Sequence, residues 1–219
     1  MSDKLRLDIP GVRLVIPNGT TRIIVKIRHS DPDRTSGKEN DVNHPLSEDG
    51  IQLCNDKREF WESVRIFLES SFGRASFSSS KFIRTRQTIQ ELFSPEGIWE
   101  NSALNLAPNF YQSSVGQEMG AERKQGIPDP EIVRRMLART ILMSPPPFSN
   151  TIESYRQFVR ECRDTLTFAG VHEPHLSQLA QPFLPEEQLG MDFLEGVVFF
   201  LNTDGIISAT KLSPLSMAS

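Results

Sequence analysis

The stretch Arg22-Ile-Ile-Val-Lys-Ile-Arg28-His29-Ser30 decides how the rest of the chain is read. Ile23, Ile24, Val25 and Ile27 make a nearly continuous β-branched, apolar run. A half-exposed strand would alternate apolar with polar residues, so this run predicts a strand buried on both faces. Upstream, Val12–Ile16 is a second β-branched run, separated from the first by Pro17-Asn18-Gly19-Thr20. That arrangement predicts a hairpin or a strand entering the core. Downstream, Ser30–Asn43 is polar, holds Pro32 and Gly37, and reads as a loop. Ser47 is placed to cap a helix from about Glu48 to Glu69, with Ile51, Phe60, Val64 and Phe67 facing inward.

The same alternation continues. Ala75–Ser79 reads as a short strand and Phe82–Phe93 as a helix, with Ile83, Ile89, Leu92 and Phe93 inward and Ser94-Pro95 ending it. Ser94–Asn150 is irregular and holds one predicted helix, roughly Pro130–Thr140. Then follow a helix at Thr151–Asp164, a buried strand at Thr165–Val171 and a helix at His175–Leu184. Two strands, Phe193–Leu201 and Ile206–Leu212, are joined at Thr203-Asp204-Gly205. Strands alternating with helices predict an α/β fold, a three-layer α/β/α sandwich with a mostly parallel central sheet. The expected organisation is one domain over residues 1–219, with an enlarged irregular and helical insertion around 94–150.

Lys plus Arg number 24 against 28 Asp plus Glu, a net charge of −4 over 219 residues. A general nucleic-acid or anionic-membrane binder carries a basic surplus, so neither partner is expected. The balance leaves room for a small local anion pocket. The first residues show no apolar segment of leader length, and Val197–Leu201 is far too short to span a membrane. With only 2 cysteines, Cys54 and Cys162, no disulfide framework is expected, and a reducing cytoplasmic setting follows. Both cysteines are expected to be small core residues rather than nucleophiles.

The 4 histidines are His29, His44, His172 and His175. His29 ends the first buried strand, and His172 and His175 follow another. Ligands of open α/β sheets bind outside the carboxyl ends of strands, so His29 and His172 are expected to face one cleft. The helix after Ser79 brings Arg84 and Arg86 near the same rim. A neutral imidazole is a good nucleophile toward phosphorus. Arginine offers a permanently charged fork to phosphoryl oxygens. Two arginines, two histidines and a helix N-terminus together suit phosphoryl transfer without a metal.

Four segments in order resemble the histidine phosphatase superfamily, the phosphoglycerate-mutase-like proteins. Arg28-His29-Ser30 resembles the Arg-His-Gly signature, and Pro45-Leu46-Ser47-Glu48-Asp49-Gly50 is similar to the family's helix start. Ser79-Ser80-Lys81-Phe82-Ile83-Arg84-Thr85-Arg86-Gln87-Thr88 resembles the second-arginine segment. Gly170-Val171-His172-Glu173-Pro174-His175 resembles the second-histidine motif in the form of the SixA-like, phosphohistidine phosphatase branch. The resemblance implies that His29 becomes phosphorylated, that Arg28 and Arg84 clamp the phosphoryl group with His172, and that water completes the hydrolysis. It implies a small phosphorylated molecule or a phosphoprotein as substrate.

The departures are Ser30 for glycine, and Thr35 where many members place a phosphate-touching Asn. Many members also carry a general-acid Glu near the position of Leu106–Phe110, where this chain has no carboxylate. Glu173 and Glu118 are the named candidates for that role, with Glu100 and Glu122 as further carboxylates nearby in sequence. His175 is expected to be structural, and His44 is expected at the surface or at the rim of the site. A metal site built from His29, Asp31, Asp33, His172 and His175 is disfavoured, because the two arginines would repel a cation and Pro174 breaks helical pairing of the histidines. Two other functions fit the same residues: a phosphomutase, or a catalytically degenerate module that only binds phospho-ligands.

Overall fold

The computed structural model describes residues 6–9, 12–33, 42–104, 114–140, 159, 162 and 164–214. Its centre is β3, Arg22–Arg28, the strand expected from the apolar run. Ile23, Ile24, Val25 and Ile27 are all fully buried, and so is Lys26 between them. On one side β3 pairs in parallel with β6, Leu166–Val171. Beyond β6 lie β4, Ser76–Ser79, and the short edge strand β5, Trp99–Glu100, both parallel. On its other side β3 pairs antiparallel with β7, Gly196–Asn202, which pairs antiparallel with β8, Gly205–Leu212. The sheet is therefore mixed but mostly parallel, in the order β5-β4-β6-β3-β7-β8.

Alternate residues of β3 serve two cores. Ile23, Val25 and Ile27 face helices α1, Glu48–Phe72, and α2, Ile83–Phe93, and pack with Trp61, Val64, Ile89 and Phe168. Ile24 faces the opposite layer with Val171, Phe199, Met119, Ile132 and Leu176. That layer holds α3, Ser114–Lys124, α4, Asp129–Thr140, and α5, Glu173–Ala180. Helices on both faces of a central sheet make the three-layer sandwich. Among the described residues, no helix is long and apolar enough to cross a membrane.

Several local expectations are corrected. The segment Val12–Val15, labelled β2, does not pair with β3. It pairs antiparallel with β1, Arg6–Ile9, as a separate two-stranded sheet. The turn at Asn18-Gly19 instead delivers the chain into the main sheet, where Thr21 N donates to the Leu201 carbonyl. Ile83 is exposed, and the inward face of α2 carries Arg84, Thr85 and Thr88 beside Ile89 and Leu92. α3 was not anticipated: its apolar positions are too few to set a helical period in the sequence. α5 begins at Glu173, with Pro174 in its first turn, two residues earlier than expected. β7 begins at Gly196 rather than Phe193, because Phe193 and Leu194 form a turn in which Leu194 takes φ 60°. The helix expected over 151–164 falls almost wholly outside the described residues.

Two glycines mark where layers touch. A Cβ on Gly170 of β6 would lie 2.4 Å from the Thr85 carbonyl oxygen, so α2 lies directly on the sheet there. A Cβ on Gly50 would lie 2.2 Å from the Asp31 carbonyl oxygen. Gly50 N also donates to Ser47 Oγ at 2.9 Å, which caps α1 as the sequence predicts. Ala for Gly in a helix would gain about 1 kcal/mol of propensity. A clash with rigid backbone costs about 1–3 kcal/mol, and more where neither side can move. Gly50→Ala is therefore expected to destabilise the chain by about 2 kcal/mol, read as a lower urea midpoint. An unchanged or raised midpoint would show that α1 can withdraw from the Asp31 loop.

Candidate active site

Arg28 is the last residue of β3, and His29 lies immediately beyond it. His29 N donates to the Val171 carbonyl at 3.0 Å, which fastens it to the end of β6. His172 follows β6 and occupies the N-cap position of α5. Arg84 enters from the second residue of α2, one short turn after β4. All four side chains thus stand at the carboxyl edge of three adjacent strands, and all are buried.

Two phenylalanines complete the arrangement. The His29 and His172 rings lie 5.0 Å apart, edge to face. The Arg84 guanidinium stacks 4.6 Å from the Phe82 ring, which also meets His172 at 4.7 Å. The Arg28 guanidinium stacks 4.3 Å from the Phe193 ring, and His29 lies 6.0 Å from that ring. Each arginine therefore has an aromatic face behind it, and each of those rings also meets a histidine.

His29 Nδ1 lies 2.6 Å from the Ser30 carbonyl oxygen. A carbonyl can only accept, so Nδ1 carries the proton and the lone pair resides on Nε2. His172 Nε2 lies 3.3 Å from Ser80 Oγ. Burial holds His172 well below its usual pKa, and Arg84, His29, His175 and Arg28 push it further down. The permanent charges among these causes, Arg84 and Arg28, are positive, which is the field an anion seeks.

The loops around His29 are braced by residues of the quoted segments. Ser30 N donates to Thr88 Oγ1 at 3.0 Å, and Leu46 N donates to Gln87 Oε1 at 2.8 Å. The Ser30 hydroxyl donates to the Gly50 carbonyl at 2.7 Å and so ties into α1.

The remaining sequence candidates fall elsewhere. Glu173 is buried and points at Arg28, with Oε2 3.2 Å from Arg28 Nη1. Its Oε1 accepts the Met191 amide at 2.8 Å. Both oxygens are acceptors in these bonds, so Glu173 is engaged as a partner of Arg28. Glu118 is exposed on α3, Glu100 is exposed on β5 and Glu122 is partly buried on α3. Thr35 lies outside the described residues. His44 is buried, not on the surface, in the segment just before the Pro32–Leu46 bridge. His175 is buried in α5, and burial, then the Lys26 charge, push its pKa down to about 3. Cys54 and Cys162 are buried free thiols, and burial pushes Cys54 up to about 12. Among the described residues, no group of three or more His, Cys, Asp or Glu is placed to hold a metal ion.

Sequence reasoning missed Phe82 and Phe193 as arginine faces and Ser80 as the His172 partner. Phe82 and Ser80 lie inside a quoted segment. Phe193 carries no local signal, since only the Leu194 turn aims it at Arg28.

The two depressed histidines carry a stability signature. Both stay neutral in the fold, whereas in the unfolded chain each binds a proton below about pH 6.5. The stability they contribute is complete above that pH and is lost as pH falls, for His175 down to about 3. The expected slope is up to about 1.4 kcal/mol per pH unit for each histidine. Urea midpoints between pH 7 and 4.5 should fall accordingly, and His175→Gln should flatten the fall. An equal slope in that variant would remove His175 from the account.

No protein-family model and no curated protein matches this chain. Solved structures do. A protein histidine phosphatase SixA complexed with tungstate covers 89% of this chain and 96% of its own, at 14% identity and a TM-score of 0.50. A mycobacterial glucosyl-3-phosphoglycerate phosphatase complexed with VO3 covers 87% and 97%, at 15% identity and a TM-score of 0.53. Mycobacterial hydrolase 1 covers 89% and 99%, at 14% identity and a TM-score of 0.55. At such identity the likeness is one of architecture, and by it this chain has the phosphoglycerate-mutase-like fold of the histidine phosphatases.

Proposed function

We propose that this chain is a metal-independent phosphatase that hydrolyses phosphomonoesters or phosphoramidates through a phosphohistidine on His29. The observation that carries the reading is the pair of imidazoles 5.0 Å apart beside two buried, phenylalanine-backed arginines. Structures of the same fold holding tungstate and VO3, both oxyanions, support it.

In the first step His29 Nε2 attacks phosphorus, a P–N bond forms, and the bond to the leaving group breaks with its electron pair. Arg28, Arg84 and His172 hold the phosphoryl oxygens while charge spreads over them. The permanent charge of the arginines supplies the neutralisation that a metal supplies elsewhere. In the second step water attacks the phosphohistidine, inorganic phosphate leaves, and His29 is restored. With Glu173 engaged by Arg28, leaving groups that need little protonation are favoured. Aryl phosphates and phosphoramidates, phosphohistidine among them, fit that description. The substrate is a small phosphorylated molecule or a phosphoprotein, met in a reducing cytoplasm.

This function belongs to a single domain over residues 1–219. Its insertion around 94–150 contributes α3 and α4, and Met119 and Ile132 from these pack with Phe82 and Leu176 in one core.

A chromogenic aryl phosphate with EDTA present tests the proposal. Wild-type chain should turn it over, and His29→Ala should lower the rate by about 10³ or more. Arg84→Ala should cost about 10²–10³. Acid quenching should damage, and alkaline quenching preserve, a phosphorylated protein intermediate. Full turnover by His29→Ala overturns the mechanism. Phosphate binding that depends on Arg28 and Arg84 without turnover would instead identify a phospho-ligand binding module.

A further inference from the structure

We propose that Glu173 is a positioning residue that aims the Arg28 guanidinium at the bound oxyanion. This rests on the reading of Arg28 as a phosphoryl ligand. Arg28 Nη1 donates to the Met191 carbonyl and lies 3.2 Å from Glu173 Oε2. The Met191 amide in turn donates to Glu173 Oε1 at 2.8 Å. One carboxylate therefore closes a ring through the arginine and the residue that flanks it. Two residues further on, Phe193 covers the guanidinium face at 4.3 Å. A guanidinium is rigid and planar. Fixing Nη1 by two acceptors and the plane by a ring fixes the directions of Nη2 and Nε as well.

The backbone supports the same arrangement. Arg28 N donates to the Glu195 carbonyl at 2.9 Å, and Leu194 N donates to the Arg28 carbonyl at 3.3 Å. Leu194 takes φ 60°, uncommon for a branched residue, and is held there by its burial and by the Trp61 Nε1 bond to its carbonyl at 3.2 Å. The chain thus invests strain in keeping the Met191–Phe193 segment over Arg28. Glu173 joins that segment to the first turn of α5, where an acidic residue is favoured.

The charge of Glu173 and its aim oppose each other, which makes the proposal testable. A carboxylate beside the site repels an anion, so removing its charge alone should tighten oxyanion binding. Loss of aim should weaken it. If positioning dominates, Glu173→Gln should bind tungstate about tenfold more weakly in calorimetry, with the fold retained by circular dichroism. The same substitution in an Arg28→Ala background should not weaken tungstate binding, because the residue positions only through Arg28 and what remains is the relief of charge repulsion. Should Glu173→Gln fail to fold, Glu173→Asp, which keeps the charge but shortens the reach, carries the same expectations. Equal or tighter tungstate binding in the folded variant overturns the proposal. So does an equal loss in the Arg28→Ala background. Tungstate binding needs no turnover, so a failed phosphatase assay leaves this result readable by itself.

Discussion

Two guanidinium groups buried at one edge of a sheet constrain everything around them. Removing a charge from water is costly unless partners replace the lost hydration. Arg28 obtains the Glu173 carboxylate, the Met191 carbonyl and the Phe193 ring. Arg84 obtains the Phe82 ring and raises the positive field at His172. Under the proposed function, an oxyanion held by the two arginines would bring negative charge to that edge. Burial first, and then the charge of Arg84, hold the His172 pKa well below its usual value.

Much of this was legible because the chemistry sits where strands end. The Ile-Ile-Val-Lys-Ile run announced a central strand, and His29 marked its carboxyl end without any knowledge of the sheet. Arg84 was found from its segment, yet its burial was not foreseen. The apolar pattern of α2 put Ile83 inward, whereas the inward face is partly polar because it lines the site. Pattern reading sorts residues by hydrophobicity and fails where a polar face is buried for function. Adjacency to His172 singles out Glu173 in the sequence but says nothing about which way its carboxylate turns, and in the fold it turns to Arg28. Of the two readings of the first runs, the hairpin does not form, while Leu14 and Ile16 do enter the core. A turn dipeptide shows that the chain reverses but does not name the strand that pairs next.

The mixed topology explains how Phe193 reaches the site. Parallel strands bring their carboxyl ends together, and β3, β6 and β4 do so here. β7 runs antiparallel to β3, so the segment entering β7 arrives at that same edge. A residue that precedes its strand can then stand over a residue that ends another. The Leu194 turn is the local adjustment that this requires.

Lys26 has a bearing on how the chain avoids trouble before it folds. It interrupts an otherwise apolar β-branched run, the composition most prone to cross-β association. Its strand must wait for β6 and β7, both encoded far downstream. In the nascent chain the lysine is exposed and charged, and a charge within such a run deters pairing with other copies. On folding, burial draws its pKa well below the usual value. The protective charge is thus strongest while the strand is unpaired, and the finished sheet bears the cost of having carried it.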